Sequence, residues 1–269
     1  MMRVLVLPAA CMHGAFTAGV LAGLESVGIA ANYFKAIIGA SSGGWNGAYY
    51  LAGDLQTKGR RLWCMHVPHG FLSWRRCRPY ADLAYLDHLT RHEEPLDTRA
   101  LRACKTNLFV VVSDMAERRA SYIHLNVQAD PIRYLIASFA MPIASHPQEI
   151  DGARYGDGGL SDALPLRFAE RFGADEIWVV LTTPPGYRDS RVGWWIISRL
   201  AALSAERALL AASARTYNRA LSEIEQRSDL VVIRPSAMLP AGRFTRDPQK
   251  MRLLYDTGKN AGMKKARRY

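Results

Sequence analysis

The chain has 269 residues, of which 49% are hydrophobic, and a formal net charge of +11. That apolar content can bury a large core, which excludes a disordered chain, and no apolar run reaches the ~18 residues of a membrane-spanning helix. Cys11, Cys64, Cys77 and Cys104 show no C-x-x-C spacing and no matching histidine pattern, so they predict free thiols and exclude a zinc site.

In chain order, Arg3 to Leu7 reads as a first strand and 15–26 as a helix. A strand over Tyr33 to Ile38 then runs into Gly39-Ala40-Ser41-Ser42-Gly43, and a helix is predicted over 43–52. A serine held between small residues at a sharp strand-to-helix turn has its hydroxyl pushed clear of the backbone, so Ser41 is the candidate nucleophile. Trp63, Phe71, Leu72 and Trp74 precede Arg75-Arg76-Cys77-Arg78, a mixture of bulky apolar and basic groups with the composition of an interfacial contact. A helix over 80–90, strands over 107–113 and 121–125, and a helix over 131–139 lead to Tyr155-Gly156-Asp157-Gly158-Gly159. The glycines there predict a tight turn with the Asp157 carboxylate exposed at a loop tip. A helix over 164–171 and a strand over 177–182 follow. The long helical stretch 194–226 opens on Trp194-Trp195-Ile196-Ile197 ahead of Arg199, a second interfacial composition. A strand over 230–234 and a helix over 247–265 end the chain, with Lys259, Lys264, Lys265, Arg267 and Arg268 forming a basic tail over 259–269. Strands alternating with helices predict a parallel or mixed sheet covered on both faces.

A serine nucleophile needs a base. The histidines are His13, His66, His69, His88, His92, His124 and His146, and the last third of the chain has none. A Ser…Asp…His triad would place its histidine there, so the sequence favours a carboxylate acting on the serine directly, and Asp157 is the distinctive acidic site.

Gly39-Ala40-Ser41-Ser42-Gly43 together with Asp157-Gly158-Gly159 resembles the Ser/Asp dyad of the patatin-like phospholipases. The likeness extends to Gly14-Ala15-Phe16-Thr17-Ala18-Gly19-Val20-Leu21, to the block from Ile136 through Pro142 to Leu166, and to Gly173-Ala174-Asp175-Glu176 leading into the next strand. It covers about residues 3–182 and implies a single compact domain over 1–269 with a three-layer α/β/α fold around a mostly parallel sheet. It also implies a serine acyl hydrolase, acting on lipid esters through an acyl-enzyme, with no metal or organic cofactor. The family shows Gly-Gly-Gly-x-Arg-Gly after its first strand, whereas this chain has Ala9, Ala10, Cys11, Met12, His13 and Gly14. The resemblance assigns the oxyanion donors to the backbone N–H groups of Ala10, Cys11 and Ser42, and His13, in place of the arginine, is expected to hold the loop by a hydrogen bond. The missing glycines keep a second expectation open, a catalytically weak or inactive relative that binds lipid or a protein partner.

The positive charge fits peripheral contact with an anionic membrane surface better than nucleic acid, for which no binding motif accompanies it. The opening Met1-Met2-Arg3 and Ala9-Ala10-Cys11 loosely resemble a lipoprotein leader, but the apolar run is short and Pro8 badly placed. A cytoplasmic protein, peripheral at the membrane, is expected.

Overall fold

The computed structural model of the chain describes residues 1–73, 80–201 and 204–267, without the side chains of Arg191, Trp194 and Ile197. Strands β1 (Arg3–Leu7), β2 (Ala36–Ala40), β3 (Asn107–Asp114), β4 (Arg119–His124), β5 (Gln148–Ile150), β6 (Ala153–Asp157), β7 (Glu176–Val180) and β8 (Leu230–Ile233) form one sheet. Its order is β5-β6-β3-β2-β1-β7-β8, with β4 also paired to β3. The strands from β3 through β8 in that order are mutually parallel, while β4, β5 and β6 run antiparallel to their neighbours. The helices are α1 (Gly14–Glu25), α2 (Ser42–Leu51), α3 (Val67–Gly70), α4 (Leu83–His88), α5 (Thr98–Ala103), α6 (Pro131–Ser138), α7 (Leu166–Glu170), α8 (Arg191–Ser198), α9 (Ser204–Glu225) and α10 (Pro248–Ala266).

The apolar runs of the central strands are buried on both faces, as parallel strands in a covered sheet must be. Leu5, Leu7, Ile37, Val110 and Trp178 pack into one layer with α1, α2 and α10. Their alternates Val4, Val6, Ile38, Val111 and Val179 pack into the other with α7 and α9. The result is mixed α/β with a central, mostly parallel sheet between helical layers.

α1 and α10 touch backbone to backbone. A Cβ on Gly258 would lie 2.0 Å from the Phe16 carbonyl oxygen and one on Gly262 2.2 Å from that of Val20. One on Gly19 would lie 2.0 Å from the Tyr255 oxygen and one on Gly23 2.2 Å from that of Lys259. Contacts advance in the same direction along both helices, so the pair is parallel. α1 begins at the loop after β1, and the exposed Lys264 and Arg267 therefore sit at the opposite end of the fold from that loop.

Several expectations need correction. The stretch 194–226 is two helices, because α8 ends where Ser198 Oγ donates to the Trp195 carbonyl at 2.6 Å and Arg199 N–H turns back to Ile196 O. Trp63, Phe71 and Leu72 are core residues rather than an interfacial patch. Trp74 and Arg75 to Arg78 lie outside the described residues, as does Arg268. The short hairpin β5–β6 was not foreseen.

Candidate active site

The site forms where two strands meet end to end along the edge of β3. β2 pairs with that edge up to Ala40 opposite Val111, and β6 takes it over with Asp157 opposite Val112. Ser41 leaves the sheet at the end of one strand and Asp157 stands at the end of the other, so the ladder itself brings them together. Ser41 Oγ donates to Asp157 Oδ2 at 3.2 Å.

Ser41 has φ 51° and ψ −122°, a backbone conformation that a non-glycine residue adopts only when its surroundings enforce it. The enforcement is visible. Ser138 Oγ accepts the Ser41 N–H at 2.7 Å and donates to the Val111 carbonyl at 2.6 Å, tying the turn to β3. Gly39 and Gly43 let the start of α2 lie against the strand ends, since a Cβ on Gly39 would meet the Gly43 backbone at 2.5 Å and one on Gly43 the Leu7 oxygen at 2.6 Å.

Asp157 is not at an exposed loop tip. It is 7% exposed, and Ser41 only 2%. The glycine after Asp157 serves close approach, because a Cβ on Gly158 would stand 2.1 Å from the Val111 oxygen. Gly159 N–H donates to Oδ1 at 2.6 Å, which leaves Oδ2 facing Ser41. Burial pushes the carboxyl up to about 7, the hydrogen bonds from Gly159 and Ser41 only partly opposing it. Among the described residues no histidine hydrogen-bonds either member of the pair.

The loop after β1 supplies the other wall. Cys11 sits at φ 48°, in the left-handed region where glycine is at ease, with its Sγ 3.6 Å from Met141 Sδ. Burial pushes its thiol up to about 12, with the Asp157 charge acting the same way, so this sulfur is held neutral. Of the three expected amide donors, Ala10 N–H is already engaged by Ser42 Oγ at 3.1 Å. The N–H groups of Cys11 and Ser42 have no acceptor among the described residues, the latter because it opens α2, whose first amides lack intrahelical partners. His13 Nε2 donates to the Ala241 carbonyl at 2.7 Å, and Met12 N–H to Arg243 O at 3.1 Å. These contacts with the C-terminal part of the chain had no local signal in the sequence.

Above the Asp157 turn, Leu160, Ile143 and Met115 pack with Ala201, Ala205, Leu209 and Leu210 from the α8–α9 region. α8 and the turn after it present an apolar row outward: Val192, Trp195 and Ile196 of the helix and Leu200 just beyond it are exposed, Trp195 by 52%, and the Arg199 guanidinium lies 4.6 Å from the centre of the Trp195 ring. Among the described residues no group of side chains suits a metal ion, and no helix is long and apolar enough to cross a membrane.

A family model described as patatin-like phospholipase matches residues 5–170. A second model, a domain of unknown function (DUF6363), matches residues 207–269. Among solved structures the chain is similar to VipD from Legionella pneumophila, with a TM-score of 0.56 at 12% identity, over 99% of this chain and 67% of that one. No curated protein matches the chain.

Proposed function

The chain belongs to the patatin-like phospholipase family, and on that premise we propose that it is a serine acyl hydrolase of lipid esters that works through Ser41 and Asp157. The observation that carries the reading is the hydrogen bond from Ser41 Oγ to a buried carboxylate, made at a strained strand-to-helix turn with no histidine between them. Ser41 Oγ attacks the acyl carbonyl carbon and its proton passes to Asp157 Oδ2. The carbonyl oxygen gains the negative charge and faces the N–H groups of Cys11 and Ser42. Collapse of the intermediate breaks the ester C–O bond, the leaving alcohol takes the proton from Asp157, and an acyl-Ser41 ester remains. Water then attacks that ester, giving a proton to Asp157, and as the acyl–Oγ bond breaks the Ser41 oxygen takes that proton back, releasing the fatty acid. A carboxyl raised to about 7 suits this double role near neutral pH, when donor and acceptor forms are both accessible.

The substrate enters from a lipid surface. In support, α8 follows β7 on the side of the sheet where β1 and β2 deliver the site, and its outward apolar row carries Arg199 within it, a composition suited to an anionic interface. The basic end of α10 points the other way and takes no part in this contact.

A second reading, a weak or inactive relative that binds lipid, is favoured by the engagement of Ala10 N–H with Ser42 Oγ, which leaves the hole one donor short. Hydrolysis of p-nitrophenyl esters of several chain lengths decides between them. Turnover that is lost in Ser41→Ala and in Asp157→Asn supports the hydrolase; absence of turnover in the unaltered protein supports the binder.

A further inference from the structure

The loop Ala9 to Gly14 lacks the glycines that would let it turn without strain, and Cys11 nevertheless holds φ 48°. A non-glycine residue is strained there, so other contacts must fix the loop. Two of them come from a distant part of the chain. Met12 N–H donates to Arg243 O at 3.1 Å, and His13 Nε2 donates to Ala241 O at 2.7 Å. Met12 and His13 are both buried, so neither bond is exchanged readily for water.

The segment that accepts these bonds is itself anchored. The Arg243 guanidinium bonds both oxygens of Asp189, at 3.2 and 3.3 Å, and lies over the rings of Tyr187 and Tyr217. Beyond it, α10 is seated on α1, the helix that begins directly after the loop. Ala241, Arg243, Tyr217 and α10 all fall within residues 207–269, the part matched by a domain of unknown function, whereas the loop belongs to the part matched by the patatin-like model.

We propose that residues 241–243 are a backbone clamp that fixes the Ala10–His13 turn in place of the missing glycines, with His13 as its positioning residue. The C-terminal segment thereby completes the active site without touching the substrate. The inference rests on the hydrolase reading, since it assigns the clamp to the loop that carries an oxyanion donor. A carbonyl only accepts, so Nε2 carries the hydrogen, and the buried, unpartnered Nδ1 disfavours a second N–H on the ring. Burial lowers the imidazole from its ordinary value, which keeps it in that form. Amide donors stabilise an oxyanion only when they are aimed beforehand, so a loosened turn loses rate while substrate affinity stays.

The test uses His13→Ala, His13→Gln and Asp189→Asn in the full chain, with two readouts. The first is kcat and KM on p-nitrophenyl butyrate. The second is hydrogen–deuterium exchange of the peptide spanning residues 9–14, which needs no turnover. His13→Ala is expected to lower kcat by about a hundredfold, the worth of one misaimed donor, with KM little changed and exchange across 9–14 accelerated. His13→Gln, whose side-chain amide also donates, should restore most of both. Asp189→Asn, which weakens the anchor of Arg243 and leaves the loop sequence intact, should accelerate the same exchange. Exchange across 9–14 that stays at the wild-type rate in both His13→Ala and Asp189→Asn overturns the clamp. Accelerated exchange with unchanged kcat overturns its role in the reaction. If the unaltered protein turns over no ester, the hydrolase reading fails by itself, and the exchange measurement still decides whether the clamp exists.

Discussion

Asp157 should make the protein less stable as the pH rises, and replacing it by asparagine should remove that dependence. In the unfolded chain the carboxyl releases its proton near its ordinary value of 3.8, whereas in the folded protein burial holds it until about 7. Between those values the folded state binds the extra proton, so the stabilising contribution is complete below about 4, declines through the interval, and is gone above 7. Three pKa units at about 1.4 kcal/mol each amount to roughly 4 kcal/mol, the upper limit of what an ionised, buried carboxylate costs the fold at pH 8. Asparagine carries no such cost. Its oxygen can accept the Gly159 N–H and its amide nitrogen can face Ser41 Oγ, so both present contacts have a neutral equivalent.

Urea unfolding of the unaltered protein and of Asp157→Asn, followed by tryptophan fluorescence from pH 4.5 to 8.5, measures the difference directly. The variant should gain stability relative to the unaltered protein as pH rises, by about 2–4 kcal/mol at pH 8, while losing all turnover. In the unaltered protein kcat/KM should rise with pH to a plateau above about 7, as the base becomes ionised. A stability difference that is constant from pH 5 to 8 would refute the reasoning, because it would mean that Asp157 titrates alike in the folded and unfolded chain.

Ser138→Ala removes the acceptor of the Ser41 amide and should cost about 1–3 kcal/mol in chemical denaturation, with a fall in kcat as the turn loses its tie to β3. Gly258→Ala would set a methyl group 2.0 Å from the Phe16 oxygen, so α1 and α10 must separate. The overpacking cost outweighs the gain of about 1 kcal/mol in helix propensity, and Tm in calorimetry should fall by about 5 °C. In co-sedimentation with phosphatidylcholine/phosphatidylglycerol vesicles, Val192→Ser combined with Ile196→Ser should abolish binding. Lys264→Ser combined with Arg267→Ser, at the other end of the fold, should leave it unchanged. The opposite pattern would move the lipid contact to α10.

The sheet was legible where burial on both faces writes a continuous apolar run, as in Val4 to Leu7 and Ile177 to Val180. β6 was not, because Ala153 to Asp157 mixes arginine, tyrosine and glycine and pairs with only the last three residues of β3. Without that strand, Asp157 reads as an exposed loop residue, whereas in the fold it closes β6 and is buried. Trp63 and Phe71 show a different ambiguity: an apolar cluster beside arginines has one composition whether it faces a core or an interface, and only packing separates the two. The glycine pairs 19/23 and 258/262 were a usable signal, since small residues one helical turn apart on two helices mark a close crossing. The bond from His13 to Ala241 spans 228 positions and involves a main-chain acceptor, so no residue type announces it.

The end-to-end meeting of β2 and β6 on β3 divides the labour between alignment and access. The spacing of Ser41 and Asp157 is inherited from a hydrogen-bonded ladder, in which a slip by a single residue displaces a strand by about 3.3 Å and turns its side chains to the other face. Small drifts are therefore forbidden, and the pair is either in register or grossly out of it. The cover beside it, where Ile143 and Leu160 pack with the α8–α9 region, lies outside that ladder. A change in the α8–α9 side of that cover alters what surrounds Ser41 and Asp157 without altering the strand register that sets them side by side.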